Sequence, residues 1–164
     1  MVSQKGQMMA KTLNDLLNVA IQDEIAAQVF YLDALEKTNN VKLKEFFNLL
    51  AKEEKGHERI LNGVKEMGIY DGSLPVDEDS VEKIEGAHVI PDEEPIEKMS
   101  LEKAMKVAMK KEIKASEVYG HMEQTSTQEE LKKLFSSLSS DERRHATKID
   151  EQFKIHSGQM GRED

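Results

Sequence analysis

The sequence predicts an all-α fold in which four helices form a bundle of two antiparallel hairpins, related by a pseudo-twofold internal repeat. Four segments place apolar residues at alternating spacings of three and four, which is typical of helices that bury one face in a bundle. Charged residues make up 34% of the chain and aromatic residues 5%, a composition that favours helix over sheet. A Glu-x-x-His motif at Glu54 recurs 88 residues later at Glu142, which indicates that the second hairpin repeats the first.

The first hairpin is predicted over residues 12–68. Thr12 followed by Asp15 resembles a capping box and starts the first helix. The turn at residues 37–40 is short, so the second helix is an antiparallel neighbour, and Gly68 is a candidate for its C-terminal cap. The expected core positions of these two helices are Leu13, Leu17, Ala20, Glu24, Ala27 and Tyr31, then Leu43, Phe47, Leu50, Glu54, His57, Leu61 and Val64.

The second hairpin is predicted over residues 100–156, after a crossover at residues 69–99 that is too long for a tight turn and long enough to run the length of a bundle. Ser100 is expected to start the third helix, and Thr127 with Glu130 to form a capping box for the fourth. Residues 1–11 are interpreted as a loose arm and residues 157–164 as a flexible tail. The core positions repeat as Leu101, Met105, Ala108, Glu112, Ala115 and Tyr119, then Leu131, Phe135, Leu138, Glu142, His145 and Ile149.

Length and charge limit the classes of function. A chain of 164 residues suits one domain, predicted over residues 1–164. The net charge of −9 argues against nucleic acid and against an anionic membrane surface, since no basic run offers a surface to phosphates. No apolar run is long enough to span a membrane, and a cytoplasmic location is expected. Cysteine is absent, so His, Asp and Glu are the only strong metal ligands.

Four glutamates occupy predicted core positions that otherwise hold apolar side chains: Glu24, Glu54, Glu112 and Glu142. A buried ionised carboxylate costs several kcal/mol or more unless it is paired or bound to metal. Four of them at one level of a bundle would repel each other strongly, so a cationic partner is required. Two divalent metals would balance the four charges.

The two histidines of the repeated motif complete a six-ligand set. A spacing of three residues turns a helix by about 300°, which places Glu54 beside His57 and Glu142 beside His145 on the inward edge. Each hairpin can then hold one metal with its own pair. Glu24 and Glu112, alone on their helices, suit a bridging role or a place beside an open coordination position. Two acidic residues next to ligands are left out because they lie off the core face: Glu53 and Asp141.

With this ligand pattern the chain resembles the ferritin-like di-iron carboxylate proteins of the rubrerythrin and bacterioferritin kind, over residues 12–156. The resemblance implies that two iron ions are bound by Glu24, Glu54, His57, Glu112, Glu142 and His145. It also implies catalytic roles for Glu24 and Glu112 and for Tyr31 and Tyr119, which would hydrogen-bond ligand carboxylates and assist electron transfer. A purely structural role for these tyrosines is the alternative.

Two departures from rubrerythrins bear on function. Ala115 stands where those proteins carry a further glutamate, which argues against the ligand switch associated with them. No cysteines exist to form a rubredoxin module, so electrons are expected from another protein.

The resemblance favours reduction of hydrogen peroxide, or of dioxygen, with electrons from an external donor protein. The chain itself is expected to form a homodimer. Three other functions stay open: a ferroxidase or iron-storage protein of bacterioferritin type, a dimanganese enzyme with catalase-like activity, and oxygenation of a substrate. Carboxylate and imidazole ligands suit manganese and iron alike, so the ligand set does not choose between them.

Overall fold

A computed structural model describes residues 12–67 and 94–158 of the chain. In these ranges it contains four α-helices: α1 (Leu13–Leu35), α2 (Val41–Met67), α3 (Leu101–Thr125) and α4 (Glu129–His156). A short 3-10 turn, Ile96–Lys98, precedes α3. The predicted all-α four-helix bundle is confirmed. The expectations for residues 1–11, the cap at Gly68, most of the crossover and residues 159–164 lie outside the described residues.

The direction of each helix follows from two apolar clusters at opposite ends of the bundle. One cluster joins the start of α1 and of α4 to the ends of α2 and α3, and includes Leu17, Leu61 and Phe135. The other joins the end of α1 and of α4 to the starts of α2 and α3, and includes Phe47, Met105 and Ile149. Helices α2 and α3 therefore run in the same direction, so the end of α2 and the start of α3 lie at opposite ends of the bundle, about 40 Å apart for a helix of 27 residues.

The helix termini show where local sequence sets the fold. At α1, the backbone N–H of Thr12 donates to Asp15 Oδ2 at 2.9 Å and the N–H of Asp15 donates to Thr12 Oγ1 at 3.3 Å, so the predicted capping box is present. Ser100 accepts from the N–H of Lys103 at 3.1 Å and caps α3 as expected.

The prediction for the start of α4 was wrong. The N-cap is Gln128, whose side chain makes no capping hydrogen bond, and Thr127 lies one residue outside the helix. Glutamates at positions 129 and 130 place negative charge in the first turn, where the helix dipole favours it. This first turn is therefore stabilised by charge where α1 has a capping box.

The core matches the periodic pattern of the sequence. Every predicted core position is buried except three that are half-buried: Ala27, Val64 and Leu101. Between the two apolar clusters lies a polar layer formed by the four core glutamates and the two core histidines. Among the described helices, none combines the length and the apolar composition that crossing a membrane requires.

Candidate metal centre

The centre of the bundle holds six ionisable side chains, here called the six-residue cluster: Glu24 from α1, Glu54 and His57 from α2, Glu112 from α3, and Glu142 and His145 from α4. Their exposed fractions range from 0 to 4%. The structure thus brings together all six residues that the sequence singled out as metal ligands. The helices position them because three-residue spacing keeps each Glu and its His on one inward edge.

The cluster divides into two groups of potential ligand atoms, and within each group all atoms lie within 4.8 Å of one another. One group is Glu24, Glu54, His57 and Glu142; the other is Glu54, Glu112, Glu142 and His145. Glu54 and Glu142 belong to both groups, whereas Glu24 and Glu112 each belong to one.

Glu54 comes from α2 and Glu142 from α4, two helices that are in contact. The role expected for Glu24 and Glu112, bridging or a place beside an open coordination position, stays a prediction.

The two histidines direct the same nitrogen inward. His57 Nδ1 lies 2.9 Å from Glu142 Oε1 and 3.6 Å from an oxygen of Glu24 and of Glu54. His145 Nδ1 lies 2.7 Å from Glu54 Oε1 and 3.7 Å from an oxygen of Glu112. The two rings stack with centroids 5.8 Å apart and planes at 16°. Both imidazoles therefore present Nδ1 to the centre and Nε2 away from it.

Outside the cluster, each Nε2 meets a carboxylate of the opposite hairpin. His145 Nε2 lies 2.5 Å from Glu53 Oε2, and His57 Nε2 lies 3.2 Å from Asp141 Oδ2. Arg144 approaches both carboxylates, at 3.7 Å from Glu53 and 3.4 Å from Asp141. A carboxylate on the outer nitrogen fixes the tautomer of a ligating histidine and directs its free lone pair inward.

These outer partners were missed by sequence reasoning, which set Glu53 and Asp141 aside because they lie off the core face. That argument shows that they do not enter the centre, and the structure agrees. It overlooked that a residue beside the core face of one helix can reach the neighbouring helix. A signal was present, because the repeat offset of 88 residues places Asp141 at the position equivalent to Glu53.

Two tyrosines connect α1 with α3 through the unshared glutamates, Glu24 and Glu112. The Tyr119 hydroxyl donates to Glu24 Oε1 at 2.5 Å, and the Tyr31 hydroxyl donates to Glu112 Oε1. Burial, and then the charge of the glutamates, raises the pKa of both tyrosines well above the ordinary value. Each tyrosine therefore keeps its proton and holds one carboxylate oxygen, as the resemblance implied for these positions.

Seven inward atoms of the cluster make no hydrogen bond of acceptable geometry among the described residues, although two of the Nδ1–carboxylate distances are short. They are Glu24 Oε2, both oxygens of Glu54, Glu112 Oε2, Glu142 Oε1 and the Nδ1 atoms of His57 and His145. Buried acceptors without donors are costly, and these seven atoms converge on two points. Oxygen and imidazole nitrogen donors around each point fit a divalent metal such as iron, so the residues present match a rubrerythrin-type iron site.

Without metal, the same atoms compete for protons. Burial, reinforced by the charge of Glu54, raises the pKa of Glu24 to about 8, and burial with Glu112 raises that of Glu142 well above its ordinary value. Burial alone would lower the pKa of His145, but Glu112 and Glu54 raise it to about 10. The metal-free centre is therefore a proton-binding cluster, and cations that replace the protons relieve the repulsion among its carboxylates.

Comparisons with known proteins agree with this geometry. A model of the rubrerythrin family matches residues 15–152. A solved structure of a hypothetical protein from Pyrococcus furiosus is similar, with 28% identity, a TM-score of 0.64, and coverage of 87% of this chain and 89% of the other. Comparison with curated proteins found no match. The family match spans both hairpins and every residue of the six-residue cluster, and the chain therefore belongs to the rubrerythrin family.

Proposed function

We propose that this chain is a di-iron oxidoreductase that reduces hydrogen peroxide to water with electrons from an external donor protein. The observation that carries the proposal is the pair of four-residue ligand groups that share Glu54 and Glu142. Shared carboxylates hold two metals close together, as a two-electron reaction at one site requires. Family membership supports iron as the metal and peroxide as the oxidant.

The residues around the site support this chemistry in separate ways. When bound, an iron pair supplies the two electrons that turn hydrogen peroxide and two protons into two water molecules. Tyr31 and Tyr119 hold the unshared glutamates in place through buried hydrogen bonds. Glu53 and Asp141 hold the imidazoles so that Nδ1 remains available as a ligand. The apolar clusters on either side of the polar layer limit the access of water.

The donor, the oligomer and the location are parts of the same proposal. The 164 residues contain no cysteine that could hold an iron–sulfur or rubredoxin centre, which supports an external donor of electrons. We retain the homodimer and the cytoplasmic location as predictions from the sequence.

The test is the reaction of the reduced protein with two oxidants. The chain is reconstituted with Fe(II) without oxygen, its metal content is measured by elemental analysis, and its oxidation by hydrogen peroxide and by dioxygen is followed by stopped-flow absorbance. We expect two irons per chain and much faster oxidation by peroxide. Faster oxidation by dioxygen with continued uptake of Fe(II) would instead indicate a ferroxidase, and native protein with two manganese ions would indicate catalase-like chemistry.

A further inference from the structure

A small cavity of about 30 Å³ lies between α1 and α3, beside the six-residue cluster. Its inner end is formed by Tyr31, Glu112 and Glu142, which are 2 to 3% exposed. The other lining residues are three of α1 and two of α3, of which Phe30 and Ala108 are buried, Ala27 and Lys111 half-buried and Ala26 exposed. Ala26 is exposed to solvent, so the cavity leads from the surface to the carboxylates.

The contents of this cavity are limited by its size and its inner surface. A volume of about 30 Å³ accommodates roughly two water molecules, which is also the space that hydrogen peroxide or dioxygen needs. Glu112 and Glu142 both line the cavity, and each has one buried oxygen that makes no hydrogen bond. A molecule that entered would meet these two glutamates directly, whereas an alkyl or aryl hydroperoxide is too large to enter.

The side chain of Lys111, which lines the cavity, contacts the ring of a neighbouring phenylalanine. Lys111 Nζ lies 4.7 Å from the centroid of the Phe30 ring, a cation–π contact that joins α3 to α1 across the cavity. The charge of Lys111 also acts on Asp23 of α1. The Lys111–Phe30 contact thus narrows the cavity. The lysine side chain is flexible and can move aside.

The internal repeat is kept in only part of this wall, since Ala27 and Ala108 have the equivalents Ala115 and Ala20. At the offset of 88 residues, Ala26 corresponds to Lys114 and Phe30 to Val118, whereas Glu112 and Glu142 correspond to Glu24 and Glu54. The glutamates of the cluster are therefore duplicated, whereas Ala26, the exposed residue of the cavity lining, has a lysine as its equivalent. The cavity therefore belongs to one half of the site, the half that contains Glu112 and His145.

We propose that this cavity is the path by which the oxidant reaches the metal centre, that it admits only molecules of the size of hydrogen peroxide, and that the Lys111–Phe30 contact covers it. The inference rests on the proposed function for the identity of the oxidant. The path itself can be tested separately with a diatomic ligand.

The principal experiment measures nitric oxide association with the anaerobic Fe(II)-loaded protein by stopped-flow absorbance. Ala27→Leu adds three carbon atoms to the wall and is expected to slow association by about tenfold or more while two irons per chain are retained. Gln22→Leu, on an exposed position of α1 that does not line the cavity, is the control and should associate at the rate of the unchanged protein. An unchanged rate in Ala27→Leu with both irons bound overturns the proposal.

A second variant covers the case in which Ala27→Leu loses metal or fails to fold. Ala26 is exposed, so Ala26→Leu leaves the core intact and narrows only the mouth. It should also slow nitric oxide association, and an unchanged rate in this variant counts against the path in the same way.

The cover is tested with oxidants of different size. The unchanged protein should be oxidised by cumene hydroperoxide far more slowly than by hydrogen peroxide, and Lys111→Ala should raise the cumene hydroperoxide rate. Lys106→Ala is the matched control, because Lys106 also lies on α3 and also stacks on a ring, that of Phe153 at 5.4 Å. Equal rates for the two variants overturn the role of Lys111. Slow oxidation of the unchanged protein by hydrogen peroxide would overturn the proposed function, and the nitric oxide comparison would still decide whether the path exists.

Discussion

The α1–α2 hairpin and the α3–α4 hairpin provide the same ligands and place them at matching positions. Each provides one Glu-x-x-His pair, one further glutamate and one tyrosine that donates to the glutamate of the other hairpin. Outside this set the hairpins differ: Gly56 corresponds to Arg144, and Ala26 to Lys114. The two ligand groups are built from duplicated residues, whereas residues around them such as Ala26 and Arg144 occur in one hairpin only.

Arg144 shows how a residue of one hairpin serves both halves. Its guanidinium lies within 4 Å of Glu53 and of Asp141, so it acts on the outer partners of both histidines. The equivalent position in α2 is Gly56, where an added Cβ would meet nothing within 4 Å. A single arginine therefore contacts both outer carboxylates, although the carboxylates themselves are repeated.

The largest expected effect comes from removing a shared ligand. Glu54→Ala takes one oxygen donor from both groups and should abolish binding of at least one metal, whereas Glu24→Ala affects only the group of His57. The fold should persist without metal, because the loss of a buried carboxylate relieves repulsion among those that remain. Elemental analysis and calorimetric titration measure the metals bound, and circular dichroism measures the fold.

An exposed glutamate of the same helix provides the control for this test: Glu45→Ala should bind two metals like the unchanged protein. Two metals per chain in Glu54→Ala, at unchanged affinity, would contradict the assignment of the shared ligands.

A smaller effect is expected from the outer carboxylates. Glu53→Gln and Asp141→Asn keep the size of each side chain but remove the charge that holds a histidine, and should weaken metal binding by about 10- to 100-fold. If the halves are equivalent, each variant weakens one of two binding steps to a similar extent. Titration with Co(II) is followed by its absorption, which reports on its ligands and separates the two steps. Unchanged affinity in both variants would show that these carboxylates do not support the site.

The hydrogen bonds of the two tyrosines provide the next comparison of the halves, measured as the stability of the metal-free protein. Tyr31→Phe removes the donor to Glu112 and Tyr119→Phe the donor to Glu24, and each leaves a buried carboxylate oxygen without its partner. The free energy of unfolding should fall by about 1–3 kcal/mol in each variant, as measured by urea denaturation of the metal-free protein. Because Tyr31 lines the cavity and water can replace its hydroxyl there, a smaller loss in Tyr31→Phe than in Tyr119→Phe would sharpen the contrast between the halves.

The sequence was sufficient to predict the fold because burial of apolar residues repeats along the chain, and a glutamate at such a position is conspicuous. The same pattern identified all six members of the cluster. It did not identify the shared role of Glu54 and Glu142, since sharing depends on which helices are in contact. Nor did it identify Glu53 and Asp141 as partners of the histidines, or Arg144 as a partner of these two carboxylates, because a residue at the edge of a helix face has no periodic signal of its own.

The smallest expected effect concerns the helix termini, where the two hairpins had been expected to behave alike. Thr12 forms a capping box with Asp15, so Thr12→Ala should lower the free energy of unfolding by about 1 kcal/mol. Thr127 lies outside α4 and makes no such bond, so Thr127→Ala should leave that free energy almost unchanged. Urea denaturation of the two variants measures the difference. Equal losses would mean that the first turn of α4 depends on Thr127 after all, whereas the expected inequality would show that Thr127 does not cap the second hairpin as Thr12 caps the first.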